Sequence, residues 1–125
     1  MNENAVGEKI LGCALKVHRT LGPGLLENAY EACLAYELAN VGLDCKRQLA
    51  MPIHYEDVQV ELGYRLDLLV SDLVVVEVKA VERLAEVHRA QLISYLRLGG
   101  FRLGYVLNFN VTVLKNGIWR VANGL

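Results

Sequence analysis

The run Leu73-Val74-Val75-Val76-Glu77-Val78-Lys79-Ala80 constrains this chain more than any other stretch. Consecutive β-branched residues are stiff in a helix and pack well on a pleated surface, so the run is a strand. A strand apolar on both faces belongs inside a sheet. Side chains alternate across a strand, so Val74, Val76 and Val78 face one way, and Val75, Glu77 and Lys79 the other. Burying an ionised carboxylate or ammonium is costly unless a partner compensates. The strand must therefore supply that partner or a use for the charge.

The flanking sequence places this strand. Residues 5–20 carry Val6, Ile10, Cys13, Ala14 and Val17 at helical spacing, and Leu21-Gly22-Pro23-Gly24 breaks the pattern. A second helix is expected over residues 25–41, closed by Gly42. The period then changes. Residues 45–55 are extended, with Pro52 marking an edge or a bulge. Residues 60–70 form a strand that turns through Ser71-Asp72 into 73–80. Here Leu66, Leu68 and Val70 are expected on one face, and Arg65, Asp67 and Leu69 on the other. Residues 85–98 return to helical spacing, ended by Gly99-Gly100, and 101–109 is a strand. Residues 111–121 read as a hairpin with Asn116-Gly117 in its tight turn. The order α-α-β-β-β-α-β-β-β, with a helical crossover before 101–109, predicts an α/β (α+β) fold: one domain over 1–125, a mixed sheet flanked by helices.

If 60–70 and 73–80 pair through their turn, Asp67 approaches Glu77 at one end of the sheet. Two carboxylates held together raise each other's pKa, and a divalent cation between them removes the penalty. Hard oxygen ligands suit Mg²⁺, Mn²⁺ or Ca²⁺ better than zinc. Lys79 beside such an ion can orient a water or stabilise charge on a phosphate. A Glu-x-Lys pair on a strand equally fits an ordinary salt bridge on a solvated face.

Asp67…Glu77-Val78-Lys79 resembles the motif of the PD-(D/E)XK nucleases, without its leading Pro: Leu66 precedes Asp67. Gln91-Leu92-Ile93-Ser94-Tyr95 resembles the Gln-x-x-x-Tyr motif of one subset of them. Gly24 to Tyr30, Gly-Leu-Leu-Glu-Asn-Ala-Tyr, resembles the signature of the GxxExxY family placed in that superfamily. The resemblance implies a restriction-endonuclease-like fold and metal-dependent phosphodiester hydrolysis. It implies Asp67, Glu77 and the Val78 carbonyl as ligands of Mg²⁺ (or Mn²⁺), with Lys79 positioning the attacking water. Glu27 is implied as a further ligand or base, Gln91 as reaching the metal site or Lys79, and Tyr95 as its support or a phosphate contact. Arg65 is a candidate substrate-binding residue.

Other residues carry weaker signals. His18, His54 and His88 show no metal spacing. Tyr30 and Tyr36 read as helix-packing residues, and Trp119 as packing the C-terminal hairpin onto the sheet. Cys13, Cys33 and Cys45 are odd in number and form no Cys-x-x-Cys pair, which suits buried thiols in a reducing, cytoplasmic setting. No apolar run reaches the roughly 18 residues of a membrane span, and the N-terminus lacks a secretory signal pattern.

Net charge is −1, but residues 1–78 hold 6 Lys and Arg against 12 Asp and Glu, whereas residues 79–125 hold 7 against 2. Such an asymmetry can hold cations on one side and a phosphate backbone on the other, making nucleic acid, DNA or RNA, the expected partner. A domain of this size gains a longer phosphate track by pairing with a second copy, so a homodimer is a further expectation. Two other classes stay open: a nucleic-acid or phosphate-binding module without turnover, and a protein-interaction domain with a structural ion network.

Overall fold

The computed structural model describes residues 1–125. Its elements are α1 (Glu3–Leu21), α2 (Glu27–Asn40), β1 (Cys45–Tyr55), β2 (Val58–Val70), β3 (Val74–Lys79), α3 (Glu86–Gly99), β4 (Leu103–Asn108) and β5 (Ile118–Ala122), with a single 3-10 turn at Leu114–Gly117. The strands form one sheet in the order β1-β2-β3-β4-β5. Only β3 and β4, joined through α3, run parallel; the other neighbours are antiparallel.

The valine strand sits at the sheet's centre, as its composition requires. Its Val74, Val76 and Val78 pack with Leu68, Val70, Leu103 and Tyr105 under α1 and α2. On the opposite face Val75 packs with Leu66, Leu69 and Val106 under Leu92 and Leu96 of α3. Each such side chain, fully buried, contributes on the order of 1.5–3 kcal/mol.

Local chemistry sets the ends of the elements. Asn2 caps α1 by accepting from Ala5 N–H at 2.8 Å. Gly22, at φ 68°, ends α1 and donates its N–H to His18 O. Tyr30 then fixes the Leu21–Gly24 turn: its hydroxyl donates to Gly22 O at 2.6 Å and accepts from Leu25 N–H at 3.1 Å. Its ring stacks on Phe109, centroids 4.7 Å apart. Tyr30 thus sets where α2 begins, and with it the position of Glu27. Tyr36, read as a packing residue, is 66% exposed instead.

Two expectations about the strands are also corrected. Leu66 does not share a face with Leu68 and Val70; it packs with Leu69 on the α3 side. The alternation of β2 inverts at Asp67. β1 inverts with it: Cys45 borders the α1–α2 core, whereas Leu49, Met51 and Ile53 border the α3 core. Between them Gln48 has φ 49°, outside the strand region. Pro52 does lie on an edge strand, opposite an irregularity between the pairs Met51↔Tyr64 and Ile53↔Val60.

The second correction is the C-terminal hairpin, which does not form. Residues 111–113 are not a strand, and β5 pairs directly with β4. A two-residue Asn-Gly hairpin turn needs positive φ at both residues, and neither Asn116 nor Gly117 has it. The glycine is required for another reason: a Cβ at Gly117 would collide with the main-chain oxygen of Asn108. Backbone cannot move aside as a flexible side chain can. Gly117→Ala is therefore expected to destabilise the protein by about 1–3 kcal/mol in urea unfolding. An unchanged midpoint would mean that this approach is not tight.

Candidate active site

The β2–β3 ladder pairs Val70 with Val74, Leu69 with Val75 and Leu68 with Val76, and there it stops. One step further the two acids take over the backbone bonding. Asp67 N–H donates to Glu77 Oε2 at 3.0 Å, and Val78 N–H donates to Asp67 Oδ2 at 2.9 Å. Each carboxylate thus accepts a main-chain N–H across the two strands. The strands part around the pair, which is therefore built into the sheet.

Glu77 is only 4% exposed. Burial pushes its carboxyl up to about 8, and the charge of Asp67 pushes in the same direction; the Asp67 N–H and Lys79 act the other way. Lys79 shares its face and is half-buried. Neither Glu77 nor Lys79 takes part in any of the ion pairs, so the solvated salt-bridge reading does not describe them.

The exit of β3 is held firmly. Lys79 O accepts from Phe109 N–H at 3.0 Å, and the buried Asn108 grips Val81 through both its N–H and its carbonyl, at 3.1 and 3.0 Å. His18 Nε2 bonds to Val111 O at 2.7 Å and fastens the following loop to α1, a structural task. His88 Nδ1 accepts from Ala85 N–H at the start of α3, and His54 is exposed on β1.

Tyr95, half-buried on α3, stacks on Tyr64 at 4.7 Å. Its phenol is pushed up by burial and then by the charges of Glu77 and Asp67, while Gln91 acts in the opposite direction. Gln91 and Tyr95 thus lie on the acidic side of the sheet. Trp119 also packs on that side, with the Arg89 guanidinium 4.4 Å from its ring centre. Arg65 is exposed and forms no ion pair.

Glu27 stands apart from the acid pair. It is exposed at the first turn of α2, and its Oε2 accepts from Ala80 N–H at 3.3 Å. No three His, Cys, Asp or Glu side chains converge closely enough to hold one ion. The fit to a divalent cation therefore rests on Asp67, Glu77 and the Val78 carbonyl, all hard oxygen donors. A buried acid with a raised pKa beside a second acid is an electrostatic demand for positive charge, and these groups fit it.

Two residues of this region escape the sequence reading. Glu31, 5% exposed, accepts from Arg47 Nε at 3.1 Å and from Gln48 Nε2 at 2.7 Å. Gln48 Nε2 also reaches Asp67 Oδ1 at 3.2 Å. Glu31 had a signal, since it lies one turn beyond Glu27 on the same helix face. Gln48 had none.

With this strand order and helices on both faces, the sheet has a restriction-endonuclease-like α/β architecture. The chain belongs to the PD-(D/E)XK nuclease superfamily, whose family model matches residues 4–121. No curated protein and no solved structure gives a match. Membership supports a nuclease-type function, with nucleic acid as the substrate class and a divalent metal as its usual companion. No helix is long and apolar enough to cross a membrane.

Proposed function

We propose that this protein is a metal-dependent nuclease that hydrolyses phosphodiester bonds of DNA or RNA, with Mg²⁺ or Mn²⁺ held by Asp67, Glu77 and the Val78 carbonyl. A cation bound there would polarise the scissile phosphate and lower the pKa of its water. Lys79, on a main chain held by Phe109 and the β4 ladder, would orient the attacking water. Gln91 and Tyr95 border the reacting groups from α3. Glu27 anchors the β3 exit through Ala80 N–H, and Arg65, exposed on β2, is a candidate contact for phosphate further along the substrate.

One observation carries this reading: Glu77 is buried against Asp67 although its carboxyl is pushed up to about 8. A purely structural ion network places opposite charges together, as Lys46 and Asp72 do at 2.6 Å. Here two acids are held together by main-chain bonds, so that Glu77 ionises only at a cost that a cation would offset.

Divalent metal is expected to stabilise the fold. Binding at a hundredfold excess over Kd adds about 2.7 kcal/mol. A thermal melt with and without millimolar Mn²⁺, beside cleavage assays on single- and double-stranded DNA and RNA, is the test. An unmoved midpoint without cleavage of any substrate would overturn the nuclease reading. Binding of nucleic acid without cleavage would favour a phosphate-binding module instead.

A further inference from the structure

Gln48 occupies an odd place. Four non-glycine residues have positive φ, and three of them, Glu56, Ser71 and Asp72, lie in the turns that join β1 to β2 and β2 to β3. Gln48 alone sits inside a strand, between the pairs Arg47↔Leu68 and Leu49↔Leu66. Glutamine has no local preference for this conformation, unlike glycine or asparagine, so surrounding contacts must hold it there.

Those contacts are on its side chain. One amide nitrogen donates to Glu31 Oε1 at 2.7 Å and to Asp67 Oδ1 at 3.2 Å. An amide NH₂ has two hydrogens, one for each carboxylate. Glu31 is anchored in turn, since Arg47 holds its Oε2 through Nε and a terminal nitrogen, both at 3.1 Å. Asp67 therefore has both oxygens assigned: Oδ1 to Gln48 and Oδ2 to Val78 N–H. Its carboxylate plane is held from two sides.

We infer that Gln48 is a positioning residue for Asp67, with Glu31 and Arg47 as its anchor. The inference rests on the nuclease reading for its purpose, although not for its geometry. The inverted alternation at Gln48 and Asp67 lets β1 deliver an amide to the edge of the acid pair. Gln48 touches neither metal nor substrate and acts through the orientation of Asp67.

Gln48→Gly separates orientation from structure. Glycine adopts the positive φ freely, so the variant should melt close to the wild type. Without the amide, Asp67 is held from one side only. The Val78 amide resonance should shift and its hydrogen exchange accelerate, a readout independent of metal and of activity. Mn²⁺ affinity, read from melt shifts, should fall by about tenfold or more, as for other groups that orient metal ligands. In the nuclease assay kcat should fall while KM holds. Gln48→Met, which keeps the stem and the backbone strain but loses the amide, should shift Val78 in the same way and melt below Gln48→Gly. An unshifted Val78 amide in both variants would overturn the inference, whatever the activity. If Val78 shifts but wild type neither binds Mn²⁺ nor cuts, the positioning role stands and the nuclease reading falls.

Discussion

Lys79→Met is expected to lower the cleavage rate by about a hundredfold or more, on the order of 3 kcal/mol, while leaving substrate affinity nearly unchanged. Methionine preserves the length and the apolar stem, so only the charge is lost. Fold should survive, because Lys79 forms no ion pair and its main-chain bond to Phe109 does not involve the side chain. An ammonium that aligns water acts mainly in the transition state, so its loss appears in kcat. A binding module has no rate to lose. There the same variant would weaken nucleic-acid affinity modestly and reduce the salt dependence by about one counterion. Single-turnover cleavage and salt-dependent binding, measured on the same substrate, distinguish the two. Full activity in the variant would remove Lys79 from the mechanism.

Glu77→Gln is expected to stabilise the metal-free protein at pH 8 by a few kcal/mol and to abolish its response to Mn²⁺. The Glu77 carboxyl moves from 4.5 to about 8 on folding, so the folded state binds a proton more tightly than the unfolded one. That contribution to stability is fully present below about pH 4.5 and is lost as pH rises through about 8. A tenfold difference in proton affinity is worth about 1.4 kcal/mol, which sets the scale of the loss. Glutamine stays neutral throughout, and its amide oxygen can still accept from Asp67 N–H. The two proteins should therefore unfold at similar denaturant concentrations near pH 4.5 and diverge toward pH 8. Urea midpoints across this range provide the check. A variant less stable than wild type at pH 8 would mean that Glu77 is an ionised partner in a structural network.

The acid pair and the lysine were legible because three local signals coincide. The valine run identifies a central strand, period-two alternation puts Glu77 and Lys79 on one face, and the short Ser71-Asp72 connection brings Asp67 alongside. Gln48 was illegible for the converse reason. Its role depends on a backbone angle that glutamine does not favour, and on an inversion that violates the alternation used to read the strand. The same inversion carries Leu66 to the α3 face, against the strict alternation that would set it with Leu68 and Val70. The C-terminal hairpin failed differently. Asn116-Gly117 is a strong turn signal, but Gly117 serves a close approach to Asn108, a contact remote in sequence that no short-range pattern contains.

The crossed bonds from Asp67 N–H to Glu77 and from Val78 N–H to Asp67 also shape how such a chain can drift. Alanine at either position would strand a main-chain donor, so loss of a carboxylate by truncation is opposed by selection on folding itself. Glutamine at 77 retains the one acceptor oxygen that Asp67 N–H needs and sheds the charge, whereas asparagine at 67 would set its NH₂ against either Gln48 or Val78 N–H, both of which donate. The accessible mutational path out of catalysis thus runs through glutamine at 77, and descendants on that path would keep the sheet while becoming more stable above neutral pH than their active ancestor.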